Sequence, residues 1–272
     1  EDKRISSDAP IGVFDSGVGG LTVVREIMRQ IPDERIVYFG DTARVPYGNK
    51  SKETVITYAR QIVKFLQTKN VKAVVIACNT ASAFALETIK REIDIPIIGV
   101  VKPGAKIAAR TTKNGKIGII GTEGTIHSGI YNEFLSKTNP NVKVYGKACP
   151  LFVPLVEEGL IEDPVTFEMA RRYLSELLQY DIDTLVLGCT HYPLIRHTIQ
   201  KVVGDRITLV NPAYETALCL KEVLMTNQLE NYGTGGGHRF YVSDSAEKFK
   251  EFANTILPCE VLKTKDINIE QY

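Results

Sequence analysis

The chain repeats itself at an offset of 111 residues, and each copy of the repeat ends in a cysteine. Residues 58–78, YARQIVKFLQTKNVKAVVIAC, align without a gap on residues 169–189, MARRYLSELLQYDIDTLVLGC. Ala59 meets Ala170, Arg60 meets Arg171, Leu66 meets Leu177, Val75 meets Val186 and Cys78 meets Cys189, while most other pairs set apolar against apolar. Both copies run from a helical period through a short turn into an apolar strand. A second match, IGVFDS at 11–16 with IGIIGT at 117–122, precedes each copy. Such a chain is held to two similar halves.

Within each half, short apolar runs alternate with longer amphipathic ones. APIGVFDSG leads into LTVVREIMRQI, IVYFGD into SKETVITYARQIVKFLQTK, and AVVIACNT into ASAFALETIKREI, with IPIIGVV next. The pattern restarts near residue 116: KIGIIGT precedes HSGIYNEFLSK, KVYGKA precedes a Pro-rich loop and the helix VTFEMARRYLSELLQY, and TLVLGCT precedes YPLIRHTIQKVV and ITLVNP. This is βαβ punctuation, which demands parallel strands joined by crossover helices. The expected fold is therefore α/β, with two parallel-sheet domains related by a pseudo-twofold and a cleft between them. After residue 210 come a helix, ETALCLKEVLMTN, a Gly-rich linker at 233–237, the strand HRFYVSD and a helix, SAEKFKEFANTIL. This closing portion is too small to stand alone and is expected to pack on the first half. The first domain is then discontinuous, 8–100 plus 211–272, and the second runs over 101–210; 272 residues give ample core for both.

Charge argues for small, locally recognised partners. Lys and Arg number 33 against 32 Asp and Glu, and no basic run carries interleaved aromatics, so no nucleic-acid footprint is expected. AVVIAC and TLVLGC, among the longest apolar runs, are far too short to span a bilayer. The leading EDKRISSDAP lacks the pattern of a signal peptide and reads as a disordered leader. Five cysteines with no C-x-x-C and no Cys/His metal spacing argue against a disulfide framework or a zinc site, and fit reduced thiols in the cytoplasm.

In open parallel sheets ligands bind beyond the carboxyl ends of the strands. The residues there are Asp15 and Ser16, Asp41, Cys78 with Asn79 and Thr80, Thr122, and Cys189 with Thr190 and His191. A lone cysteine after a buried strand is most often a small buried hydrophobe. Here each of two is followed by polar residues and then a helix, with Pro193 suited to a first turn, and a helix N-terminus lowers a thiol pKa. Cys149, Cys219 and Cys259 lack this setting and read as structural. Two equivalent thiols on opposite sides of a ligand, one a thiolate base and one a thiol acid, would invert a carbon by removing a proton from one face and returning one to the other. That chemistry is racemisation or epimerisation.

The remaining residues read two ways. Asp15, in VFDSGVGG, caps a turn or else orients an ammonium group or tunes a thiol, with Gly17, Gly19 and Gly20 opening backbone N–H groups to a small anion. His191 is a hydrogen-bonded structural histidine or an aid to proton transfer at Cys189. Ser16, Asn79, Thr80 and Thr190 cap helices or bind carboxylates, and one reading does not exclude the other. Glu157 and Glu158 sit in the loop CPLFVPLVEEGLIEDP, and spacing prefers neither. PYG at 46–48 reads as a turn from which Tyr47 can cover a cleft.

VFDSGVGGL, DTARVPYG, ACNTASA, PLVEEG and GCTHYPL, in this order over residues 13–194, resemble the glutamate racemases, cofactor-independent isomerases that supply D-glutamate for peptidoglycan. The resemblance implies that Cys78 and Cys189 are the catalytic pair, the first accepting the proton of D-glutamate and the second that of L-glutamate. It implies that Asp15, Glu157 and His191 assist them, and it alone picks Glu157 over Glu158. It places the substrate against Asp15, Ser16, Tyr47, Gly48, Asn79, Thr80, Thr190 and His191, with Thr122 a further candidate. It also implies a homodimer, no metal and no cofactor, while Lys102 in VVKPG receives no role.

Three alternatives stand beside this reading. A two-thiol racemase for aspartate or another small acid differs only in its side-chain pocket. A dinucleotide oxidoreductase finds Gly17 and Gly19 after a strand and Asp41 as a ribose-binding acid, but its third glycine position is Thr22. A silent amino-acid-binding protein leaves the paired thiols unexplained. No lysine stands in a recognisable Schiff-base setting for pyridoxal phosphate.

Overall fold

Strands such as IGVFD and TLVLG are buried along their whole length, which only a sheet covered by helices on both faces allows. The computed structural model describes residues 5–272, so the start of the expected leader lies outside the described residues. The first half runs β1 (Ile11–Asp15), α1 (Leu21–Gln30), β2 (Ile36–Gly40), α2 (Lys52–Gln67), β3 (Ala73–Ile76), α3 (Asn79–Lys90) and β4 (Ile97–Gly99). The second runs α4 (Val101–Thr111), β5 (Lys116–Gly121), α5 (Glu123–Ser128), α6 (Ile130–Thr138), β6 (Lys143–Ala148), α7 (Phe152–Glu157), α8 (Pro164–Leu178), β7 (Thr184–Gly188), α9 (Arg196–Val203) and β8 (Thr208–Val210). The chain closes with α10 (Pro212–Thr226), β9 (Arg239–Val242), α11 (Ala246–Ile256) and β10 (Thr264–Asp266).

The strands form two all-parallel sheets. One has the order β10-β9-β2-β1-β3-β4 and the other β6-β5-β7-β8. The run β2-β1-β3-β4 is matched strand for strand by β6-β5-β7-β8, so the repeat is one of topology as well as of letters. β9 pairs with β2, which puts the C-terminal strands on the sheet of the first half.

Packing explains most of the identities in the repeat. Ala59 and Ala170 are buried on the inward faces of α2 and α8, Leu66 and Leu177 close those faces, and Val75 and Val186 lie in the sheet cores. Each buried leucine or valine contributes about 1.5–3 kcal/mol by leaving water. Arg60 and Arg171 keep their charges exposed, pairing with Glu92 and Glu168. Ser51 caps α2 by accepting from the Thr54 amide at 3.2 Å, and Asp163 caps α8 from Val165 at 2.8 Å.

Four segments depart from the sequence expectation. VKPGAKIAART forms α4, because Pro103 falls in the first turn, where its missing N–H costs nothing. The segment 123–138 is two helices broken at Gly129, whose φ of 66° is left-handed. The expected Pro-rich loop contains α7, with Pro154 again in its first turn and Glu157 at its C-terminal end. The short β10 follows a segment with too little apolar periodicity to announce it.

Candidate active site

The carboxyl ends of β1 and β3 face those of β5 and β7 across a narrow cavity of about 20 Å³. Ser16, Tyr47, Gly48, Cys78, Asn79, Thr80, Thr122, Cys189, Thr190 and His191 all line it. Each cysteine is 6 % exposed. The two thiols therefore approach one space from the two halves.

Their local settings differ, against the expectation of one construction used twice. Cys78 is the N-cap of α3, and its Sγ accepts from the Ala81 amide at 3.4 Å. Cys189 is followed by a 3-10 turn over Tyr192–Ile195, with α9 beginning only at Arg196. Its polar neighbour is a side chain: His191 Nδ1 lies 3.8 Å from Cys189 Sγ. The opposite ring nitrogen, Nε2, lies 2.9 Å from Glu157 Oε1. Glu157 joins the site through this contact, and Glu158 makes none with it.

Burial and the Asp15 carboxylate push the Cys78 thiol up to about 12, outweighing the Ala81 amide and the Ser16 hydroxyl that act the other way. The lowering that a helix N-terminus gives is thus outweighed in the closed cavity, where desolvation exceeds the dipole. Burial alone would lower the His191 pKa. Its bonds to Cys189 and Glu157 and the charge of Asp15 raise it instead to about 10. His191 is then an imidazolium at neutral pH, beside Cys189. Burial raises the Asp15 carboxyl, which the His191 charge partly offsets.

Asp15 is fully buried and bonded on both sides of the cleft. Its Oδ2 accepts from the Gly17 amide at 3.0 Å and its Oδ1 from Thr190 Oγ1 at 3.3 Å. The glycines after it also serve packing. A Cβ on Gly19 would stand 2.4 Å from Thr190 Oγ1 and 2.5 Å from His191 Nδ1, so the missing side chain is what lets the halves meet. Gly48 does the same opposite Thr122, at 2.5 Å from its Cβ.

The loop carrying Tyr47 and Gly48 is tied down from beneath. Tyr47 is buried against the cavity, and its hydroxyl donates to Asp41. Arg44 Nε donates to the same carboxylate at 2.8 Å, as does Ser243 Oγ from the C-terminal segment. Both Asp41 oxygens are engaged, so Asp41 is a loop anchor and not the free ribose-binding acid of the oxidoreductase alternative.

Several cleft residues escaped the sequence reading. Thr22 donates to the Thr190 carbonyl at 3.1 Å, Thr125 joins Thr80 and Thr122 in a cluster of hydroxyls, and Tyr131 donates to Asn79. Each lies inside a helix, where periodicity reports an inward face but not a partner from the other half. Cys149 is buried with its Sγ 3.7 Å from the Lys147 carbonyl, away from the cavity lining, and Lys102 is absent from that lining too. Among the described residues no cluster of His, Cys, Asp and Glu suits a metal ion, and no helix is long and apolar enough to cross a membrane.

Comparison with known proteins finds relatives over nearly the whole chain. The Asp/Glu/hydantoin racemase family model matches residues 11–217. A glutamate racemase of Geobacter metallireducens is 47 % identical, over 96 % of this chain and 97 % of its own. A crystal structure of a glutamate racemase isoform from Bacillus anthracis superposes with a TM-score of 0.93 at 41 % identity, covering 96 % of this chain and 98 % of that one. A structure of glutamate racemase from Francisella tularensis in complex with D-glutamate gives 0.91 at 38 % identity, over 98 % of this chain and 100 % of that one.

Proposed function

Because the chain belongs to the Asp/Glu/hydantoin racemase family, we propose that it interconverts L- and D-glutamate by proton transfer through Cys78 and Cys189. The observation that carries this reading is the pair of thiols, brought from matching strand ends to one cavity and given unlike neighbours.

For L-glutamate, an anionic Cys189, with the His191 imidazolium as its counter-charge, takes the α-hydrogen as a proton. The C–H electron pair stays on the substrate and spreads into the α-carboxylate, where neutral donors such as Asn79, Thr80 and Thr190 meet the growing charge. The Cys78 S–H bond then breaks, its proton goes to the opposite face of the carbon, and its electron pair stays on sulfur. The thiolate has moved from one side of the cleft to the other. D-glutamate reverses the steps and needs an anionic Cys78, which burial and Asp15 oppose. The substrate ammonium, entering beside Asp15, offsets that charge.

A cavity of about 20 Å³ holds little more than a water, so the halves must part to admit a substrate. A neighbouring cavity of about 370 Å³ shares Val45, Pro46, Gly48, Thr122 and Val153 with the site and offers the approach. Assembly as a homodimer, residence in the cytoplasm and delivery of D-glutamate to peptidoglycan belong to the same family reading.

Circular dichroism of L-glutamate incubated with the pure protein and no added cofactor tests the reading. The signal should decay to zero. A stable signal with glutamate, together with decay for aspartate, would move the substrate to the shorter acid. Cys78→Ala and Cys189→Ala should each cut racemisation by about 10²–10⁴ or more, and undiminished racemisation in either variant would sink the two-thiol route.

A further inference from the structure

Tyr131 belongs to α6 of the second half, but its hydroxyl crosses the cleft and donates to Oδ1 of Asn79 at 2.5 Å. The residue is 2 % exposed. A Cβ on Gly188 would touch its ring at 3.5 Å, and one on Gly104 would touch its hydroxyl at the same distance. Both are ordinary packing distances, and Gly188 directly precedes Cys189. Asn79 directly follows Cys78. The tyrosine therefore spans the interval between the two cysteine-bearing strand ends.

An asparagine amide can present either its carbonyl or its NH₂ to a cavity, and the two faces are opposite in charge. Towards a carboxylate the first repels and the second attracts. Asn79 lines the cavity, and among the described residues its Nδ2 has no protein acceptor. We infer that Tyr131 is a positioning residue for substrate recognition: by donating to Oδ1 it holds the Asn79 amide with Nδ2 turned inward as a donor to a carboxylate of the substrate. This rests on the glutamate reading for the identity of that carboxylate. Burial, and after it the charge of Cys189, raise the Tyr131 phenol above its ordinary range, so the donating proton stays in place at working pH.

Tyr131→Phe keeps the packed ring and removes only the donor. It should lower kcat/KM about tenfold, chiefly through KM, as expected when one buried hydrogen-bond partner is lost. In an Asn79→Ala background the same change should cost nothing further, because the group it positions is gone. Asn79→Asp keeps the acceptor for Tyr131 but turns an oxygen inward, and should be more damaging than Asn79→Ala. Independent, multiplicative losses, or an Asn79→Asp protein as active as the parent, would overturn the assignment.

A second measurement reads the amide without turnover. The Asn79 side-chain NH₂ resonance, identified by its loss in Asn79→Asp, should shift and broaden in Tyr131→Phe. An unchanged resonance would refute the positioning role. A parent protein inert on glutamate would count against the substrate reading alone, and the resonance decides the positioning role in either case.

Discussion

Replacing Gly19 by alanine adds one methyl group at the seam between the halves. The φ of Gly19 lies outside the left-handed region, so alanine meets no backbone strain and the effect is steric. The new Cβ would stand 2.4 Å from Thr190 Oγ1 and 2.5 Å from His191 Nδ1, where ordinary contact begins near 3.4 Å. Both neighbours have short side chains in a buried site, and the Thr190 carbonyl is itself held by Thr22 at 3.1 Å. The His191 ring must shift by roughly 1 Å, which disturbs its placement between Cys189 and Glu157, and a misplacement of that size costs about 10²-fold in rate. Overpacking by one methyl costs about 1–3 kcal/mol, which lowers Tm by a few degrees and leaves the protein folded at 25 °C. Enantiomers have equal free energies, so kcat/KM must fall by the same factor in both directions. Racemisation followed from L- and from D-glutamate by circular dichroism, with Tm from a thermal scan, gives all three quantities. A Gly19→Ala protein with the parent's kcat/KM would show that the His191 position is not tied to this seam.

His191 also predicts how stability depends on pH. Its pKa is raised in the fold from 6.5 to about 10, so its contribution is complete below 6.5 and is lost as pH rises through 10. Cys78, raised from 9.0 to about 12, adds a loss of the same sign, but only above 9.0. Tm should therefore decline between pH 6.5 and 9.0 on account of His191, and Glu157→Gln should flatten that decline; an unchanged slope in Glu157→Gln would show that Glu157 does not hold the proton. Leu66→Ala and Leu177→Ala remove the same buried side chain from the two copies of the repeat. Each should cost about 2–5 kcal/mol in urea unfolding, and a loss under about 1 kcal/mol at either site would contradict the packing account.

The topology and the cysteine pair were legible because they rest on short-range patterns. Apolar runs between amphipathic helices imply parallel strands, and Ile11–Asp15, Ala73–Ile76 and Thr184–Gly188 are such runs. What escaped depends on neighbours distant in sequence. That Cys78 is pushed upward by burial and Asp15 could not be read from a helix N-terminus, because desolvation is a property of the closed cleft. That Gly19 leaves room for Thr190 and His191 could not be read from its place after a strand. Tyr131 and Thr22 carry no local signal beyond an inward helix face. Helix α4 was hidden by Pro103 and Gly104, which read as breakers unless the first turn is located.

The order of the first sheet sets a timetable for synthesis. β2 is made early, yet its neighbour β9 pairs Arg239 with Val37, roughly 200 residues further along. At about 5–20 residues per second, that edge waits on the order of 10–40 s on the ribosome with a row of unpaired N–H and C=O groups exposed. The strands of the second sheet all lie between Lys116 and Val210 and need nothing from the C-terminal segment to pair. A nascent chain cut or stalled before residue 239 would therefore carry a finished second sheet beside an open-edged first one, a species prone to strand addition by its own copies. Completing the protein means closing that edge last.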